Sequence, residues 1–259
     1  VILKAEGRAL EIGKKPTYFR LRDAESNPEL VLHKHLGNLA IYELPQADRE
    51  YVIGADVGKG RGRDNTVLTV LDRLDGTAAR EVAHFASNLL TEIQTAHICV
   101  MLARLYNNAF ITPEVTGVGQ AFVNEITQVI QYSNVFLNRQ FTTAGGKGIT
   151  NTNYGYDTSS AARKDLLVSE VKQALMDGTL EVHTMDTFHE LRMFQFVNPE
   201  DPKSQMEARQ GEKDDRVISL SLANLGRLAR FGAPPIRNYK PTGSESTPAP
   251  AKPSYDDVV

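Results

Sequence analysis

The chain has a single cysteine, Cys99, and no tryptophan. A lone thiol cannot close an internal disulfide and there is no Cys/His cluster with zinc-ligand spacing, so the sequence suits a reducing compartment and offers no redox chemistry. No run of 18 or more apolar residues is present, and the first residues lack the basic, apolar and small-residue order of a signal peptide. The expectation is a soluble intracellular protein with no membrane partner. An excess of one charge is missing as well: 29 Lys and Arg stand against 32 Asp and Glu, a formal charge of −3, which excludes a uniformly basic coat for nucleic acid. What remains is ordinary globular composition, 259 residues and 41% hydrophobic. A chain of that length buries about 70–75% of its unfolded surface without staples, in one or two domains. Because it begins at Val1, it is expected to be a processed product or a fragment of something longer.

Composition divides the chain in three. Residues 237–259 are rich in proline and serine, with KPTGSESTPAPAKPSYDDVV from Lys240, and cannot bury enough surface to offset their ordering entropy; a disordered tail is expected. Residues 1–49 show no sustained period. They read as a lead-in segment whose Leu30, Leu32, Leu36, Leu39 and Ile41 could pack on a neighbouring body. Residues 50–236 carry that body. YVIGADV (51–57) reads as a buried strand, followed by β-branched 65–71 and by 80–85, three successive antiparallel strands. A helical period over 91–106 follows, with Thr91 as N-cap, then a strand at 109–114 and a helix from about 119 to 131. Helices are also expected over 160–177 and 214–230. Three strands, helix, strand, helix is an α/β order.

Two glycine clusters suggest nucleotide binding and fail on spacing. Gly54 to Gly58 leaves three intervening residues where a P-loop needs four, Lys59 is followed by Gly60 rather than Ser or Thr, and a strand rather than a helix follows the loop. The second cluster, Gly145-Gly146-Lys147-Gly148, has no preceding strand.

The carboxylates are more informative. Asp56 interrupts an apolar strand, where an ionised group is costly unless a cation or several donors compensate it. Glu114 repeats this at the end of the strand over 110–113, and Asp214-Asp215 precedes the apolar helix of Val217, Ile218, Leu220, Leu222, Leu225 and Leu228. Singly, each has a plain explanation: a strand Asp commonly pairs with Lys or Arg, and an Asp before a helix commonly caps it. Together they supply three or four oxygen ligands from separate elements, the donor set that a pair of hard divalent ions about 4 Å apart requires for in-line displacement at phosphorus.

The blocks YVIGADVGKGRGRDNTVLTVLDR, LYNNAFITPEVTGVGQAFVNEI, NYGYDTSSAARKDLL and EKDDRVISLSLANL resemble the C-terminal nuclease domain of the large terminase subunit of tailed bacteriophages, over about residues 50–230. Lys213 stands where that family commonly has His, and Thr116 where it has Asn. The resemblance implies a ribonuclease H-like fold, a mixed central sheet flanked by helices with an added hairpin. It also implies an endonuclease dependent on Mg²⁺ or Mn²⁺, with two ions, that cuts concatemeric viral DNA when packaging starts and stops in the host cytoplasm. Asp56, Glu114, Asp214 and Asp215 match the family's metal-binding acids, with Asp56 expected to bridge both ions. The partners implied are double-stranded DNA, an upstream ATPase domain, the portal and the small terminase subunit. The rival expectations are another ribonuclease H-like nuclease, such as a Holliday-junction resolvase, and a non-catalytic DNA or portal docking module.

A nuclease must also hold an anionic duplex. Lys59, Arg61 and Arg63 alternate with glycines just after Asp56, and Arg139, Lys147, Arg163 and Lys164 stand against the single acid Asp157 in 139–164; both groups are candidate phosphate contacts. Lys164 falls where the family pattern has Lys or Arg at a helix start and is the candidate leaving-group stabiliser. Tyr154 and Tyr156 could stack or contact backbone, core packing being the commoner role for Tyr at a strand-helix junction. His84, His97, His183 and His189 lack metal-ligand spacing and read as structural.

Overall fold

The computed structural model describes residues 1–22, 29–33, 38–60, 65–74, 78–141, 149–196, 206–208 and 213–230. The expected tail, 237–259, lies outside the described residues. The chain opens with helix α1 (Ile2–Ile12) and strands β1 (Thr17–Arg22), β2 (Glu29–His33) and β3 (Leu39–Ile41). Strands β4 (Glu50–Asp56), β5 (Thr66–Arg73) and β6 (Ala79–Ser87) follow, then helix α2 (Glu92–Leu105), strand β7 (Phe110–Pro113) and helix α3 (Gly119–Asn124). A hairpin, β8 (Leu137–Phe141) and β9 (Ile149–Tyr154), precedes α4 (Ala161–Asp177), β10 (Leu180–Glu181), α5 (Met185–Met193), β11 (Phe194–Phe196), β12 (Met206–Ala208) and α6 (Asp215–Arg230).

The described strands form a mixed sheet in the order β2-β1-β3-β6-β5-β4-β7, with β10 also beside β6. Strands β4, β5 and β6 are antiparallel neighbours joined in sequence, whereas β7 runs parallel to β4. A parallel return needs a crossover, which α2 supplies. Its start is fixed by a capping box in which Thr91 and Gln94 each bond the other's backbone amide, at 3.3 and 3.1 Å. Alternation along β4 divides the core. Ile53 and Ala55 join Leu68, Phe85 and the α2–α3 side, while Val52 joins Leu71, Leu167, Val171, Phe188 and Leu220 on the α4–α5–α6 side.

Two regions differ from the sequence expectation. Residues 1–49, read as a lead-in segment without a sustained period, supply α1 and three strands of the sheet, with Leu39 and Ile41 buried as anticipated. β3 has only three residues and one of its partners is the distant β6, so local pattern gives it little signal, and α1 buries only Ala5 and Ala9. The helix expected over 119–131 is α only to Asn124 and continues as one π-helical turn, Glu125–Val129.

One contact fixes the relation of α6 to the sheet. α6 crosses β5, β4 and β7, and a Cβ on Gly54 would lie 2.0 Å from the Ser219 carbonyl oxygen and 2.4 Å from the Ala223 amide nitrogen. The Ser219 hydroxyl reaches the Gly54 carbonyl at 3.0 Å and the Thr69 hydroxyl at 2.9 Å. Farther along, a Cβ on Gly226 would meet the Thr112 hydroxyl at 2.3 Å. Helix backbone therefore rests almost on strand backbone. Because neither backbone can yield, Gly54→Ala is expected to destabilise the chain by about 3 kcal/mol, at the upper end of overpacking costs, in denaturant unfolding followed by circular dichroism. A loss below 0.5 kcal/mol would contradict this packing.

Candidate functional site

The approach of α6 to β4 has a positional consequence. Gly54 and Asp56 are two residues apart on one strand, so both face α6; Thr112 and Glu114 bear the same relation at the end of β7. Asp214 and Asp215 stand at the N-terminus of α6, where the Asp214 carbonyl accepts the Ile218 amide at 2.9 Å. Backbone pairing brings Glu114 beside β4, its amide donating to Ala55 at 2.9 Å, while Gly119 passes so close behind that a Cβ there would meet the Glu114 carbonyl at 2.1 Å. Four acids from three separate stretches of chain thus collect at the carboxyl ends of β4 and β7.

Their electrostatics bear the mark of that crowding. Burial pushes the Asp56 carboxyl well above the usual range, and Glu114, which shares a hydrogen bond with it, Asp215 and Asp214 push it further. Asp215 is pushed up to about 6, first by burial and then by Glu190 and Asp214, against the stabilising Asn65 amide, which donates to its Oδ2 at 3.0 Å. The other acids have their own partners. Asp214 meets the Lys164 ammonium at 2.5 Å, and Glu114 accepts from the Thr158 hydroxyl. Thr158 is held by Thr116, whose Oγ1 lies 3.2 Å from its hydroxyl and accepts its amide at 3.3 Å. Among the described residues, no three His, Cys, Asp or Glu side chains stand close enough together to hold a metal ion as they are. Of these partners, the Lys164 ammonium on Asp214 is the positive charge that a cation would displace. The donors are all carboxylate oxygens, as Mg²⁺ and Mn²⁺ prefer, and their mutual repulsion would be relieved by positive charge, so the set fits such ions.

The remaining candidates are less tightly grouped. Lys59 is exposed just beyond β4, and Arg163 pairs with Asp157 at 2.8 Å rather than with the acids. Arg139 lies in β8 opposite Thr152 of the hairpin. Arg61, Arg63 and Lys147 lie outside the described residues. Tyr156 is buried in the core, whereas Tyr154 is exposed. His97 meets Glu125 at 3.1 Å and His183 meets Glu181 at 3.1 Å, both away from the four acids. Two residues near the acids escaped the sequence reading. Thr158 carries only a hydroxyl in a polar run, and Glu190 lies in α5, a short helix with no marked apolar period.

A raised carboxyl costs nothing while protonated in both folded and unfolded chains. Its cost begins as pH passes the ordinary value of 3.8 and is complete above the folded value, about 6 for Asp215. The metal-free chain is therefore expected to lose stability as pH rises from 4 to 7. At pH 8 without metal, Asp56→Asn should be more stable than wild type by about 1–3 kcal/mol, a gain that vanishes near pH 4. Equal denaturation midpoints at both pH values would contradict the crowding.

No curated protein matches the chain. Among solved structures it is similar to the large terminase nuclease from thermophilic phage G20c, determined with bound magnesium and with bound cobalt, at 25% identity and a TM-score of 0.57, covering 74% of this chain and 89% of that one. It is also similar to the Thermus phage P74-26 large terminase nuclease domain, at 25% identity and a TM-score of 0.54, covering 74% of this chain and 86% of the other. Residues 53–225, from the middle of β4 nearly to the end of α6, match the terminase RNaseH-like domain. With two thirds of its length matched, this chain belongs to the terminase RNaseH-like domain family.

Proposed function

We propose that the chain is a DNA endonuclease dependent on divalent metal, cutting concatemeric viral DNA by phosphodiester hydrolysis at the start and end of genome packaging. The observation that carries this reading is the convergence of Asp56, Glu114, Asp214 and Asp215 at one end of the sheet, where each of the other three raises the Asp56 carboxyl. These four would hold the ions, two in number on this reading. When bound, such a pair lowers the pKa of an attacking water and stabilises the leaving oxygen. The chain's own residues do the rest. Thr158 and the Asn65 amide fix the carboxylates of Glu114 and Asp215, so that little reorganisation is left when charge arrives. Lys164, in the first turn of α4, leaves Asp214 and turns its ammonium to the scissile phosphate. Lys59, Arg61, Arg63, Arg139, Lys147 and Arg163 are the basic residues proposed to contact the duplex backbone.

Bound magnesium and cobalt in the G20c nuclease support the metal class. The described residues hold no helix long and apolar enough to cross a membrane. On this reading the chain works in the host cytoplasm with an ATPase domain of the same protein, the portal and the small terminase subunit. Incubation with plasmid and Mn²⁺ is expected to give linear products with wild type and at least 100-fold slower cleavage with Asp56→Asn. Equal inertness of both across a range of ion concentrations would overturn the nuclease reading in favour of a docking module. Strong preference for a four-way junction over linear duplex would overturn the packaging role.

A further inference from the structure

The two acids at the start of α6 are presented in an unusual way. A helix leaves its first amides without partners, and the side chain of the residue just before it ordinarily takes one of them. Here that residue is Asp214. Its carboxylate meets Lys164 at 2.5 Å instead, and the Arg216 amide is taken from outside the helix, by Glu190 Oε2 at 2.8 Å. The other Glu190 oxygen accepts from Arg216 Nη1 at 2.7 Å, and Arg216 Nη2 donates to Asp186 at 3.2 Å. Glu190 is 5% exposed, so this grip is shielded from water.

α5, which carries Glu190, is itself fixed. The buried Glu81 of β6 accepts the His183 and Thr184 amides at 2.7 and 2.8 Å and the Thr184 hydroxyl at 2.8 Å, just before α5 begins at Met185. A line of hydrogen bonds therefore runs from the sheet through Glu81, α5 and Glu190 to the residue after Asp215. A carboxylate beside two others is a poor choice if stability alone mattered, since the Glu190 charge acts against Asp215. Its place is understandable if it frees Asp214 from capping and sets the angle of Asp215.

The geometry points to Glu190 as a positioning residue for the acid pair Asp214-Asp215: by capping α6 from outside, it releases both carboxylates to face the site. This rests on the metal-dependent reading above. The test compares wild type, Glu190→Gln and Glu190→Ala by calorimetric titration with Mn²⁺ in the absence of DNA, hydrogen exchange at the Arg216 amide, and cleavage kinetics. Glu190→Ala should bind Mn²⁺ about 10–100-fold more weakly and lose kcat with little change in KM for DNA. Its Arg216 amide should exchange faster. Glu190→Gln, whose Oε1 can still accept that amide, should stay within about fivefold of wild type in Mn²⁺ affinity and keep slow exchange. Wild-type Mn²⁺ affinity in a folded Glu190→Ala overturns the proposal, as does equal loss in both variants, which would point to charge rather than capping. If Glu190→Ala fails to fold, Glu190→Gln decides: fast exchange with unaltered affinity overturns the proposal, and slow exchange with near-wild-type affinity supports it. A wild-type chain that binds no Mn²⁺, while Arg216 exchange still accelerates in Glu190→Ala, would sink the metal reading and leave the positioning role standing.

Discussion

Helix α6 lies against β4 with no side chain between them at Gly54, and the rest of the structure depends on that approach. A Cβ at this one position would come within 2.0 Å of helix backbone. Without it, the helix sits low enough for the Ser219 hydroxyl to reach strand carbonyl and strand hydroxyl together, and for Gly226 to pass over Thr112. Two such contacts on neighbouring parallel strands fix both the height and the direction of α6. Its N-terminus is then delivered to the same end of the sheet at which β4 and β7 stop, the end where ligands of α/β sheets commonly bind.

That geometry has an electrostatic consequence which local stabilising devices only partly offset. Asp56 is buried beside Glu114 and within reach of both acids of α6. The positive end of the helix dipole, the Asn65 amide, Thr158 and Lys164 each reduce the repulsion, yet Asp56 and Asp215 remain raised. A chain of near-neutral total charge thus keeps a concentrated negative site at one place in its fold. Arrangements of this kind lower stability and are retained where function needs them.

Much of this was legible in the sequence, for reasons that differ by element. β4 and β5 read as strands because each is a short apolar run bounded by glycine or polar residues, and α6 read as a helix because its apolar positions recur on one face. Asp56 stood out because an ionised carboxylate within an apolar strand is costly unless something compensates it. The elements of 1–49 were not legible: β3 has three residues and finds its partners at β6, more than forty positions away. α5 was missed because nine residues with little periodicity give a weak signal, and Glu190 was missed with it. Nor does the sequence carry any mark of Thr158 bonding Glu114, since that contact depends on backbone pairing of the segment around Tyr156 with the end of β7. Local pattern yields elements and suspicious charges; which charges meet is settled by crossings such as that at Gly54.

On the reading proposed above, acids from β4, the end of β7 and the start of α6 form one cation site. Anomalous diffraction at the manganese edge, from crystals grown with Mn²⁺, tests it most directly. Manganese is expected within ligand distance of an Asp56 carboxylate oxygen, with ligands also from Glu114 and from Asp214 or Asp215, and with Lys164 withdrawn from Asp214. Manganese only elsewhere, or none, with the Lys164–Asp214 contact intact, would rule such a site out.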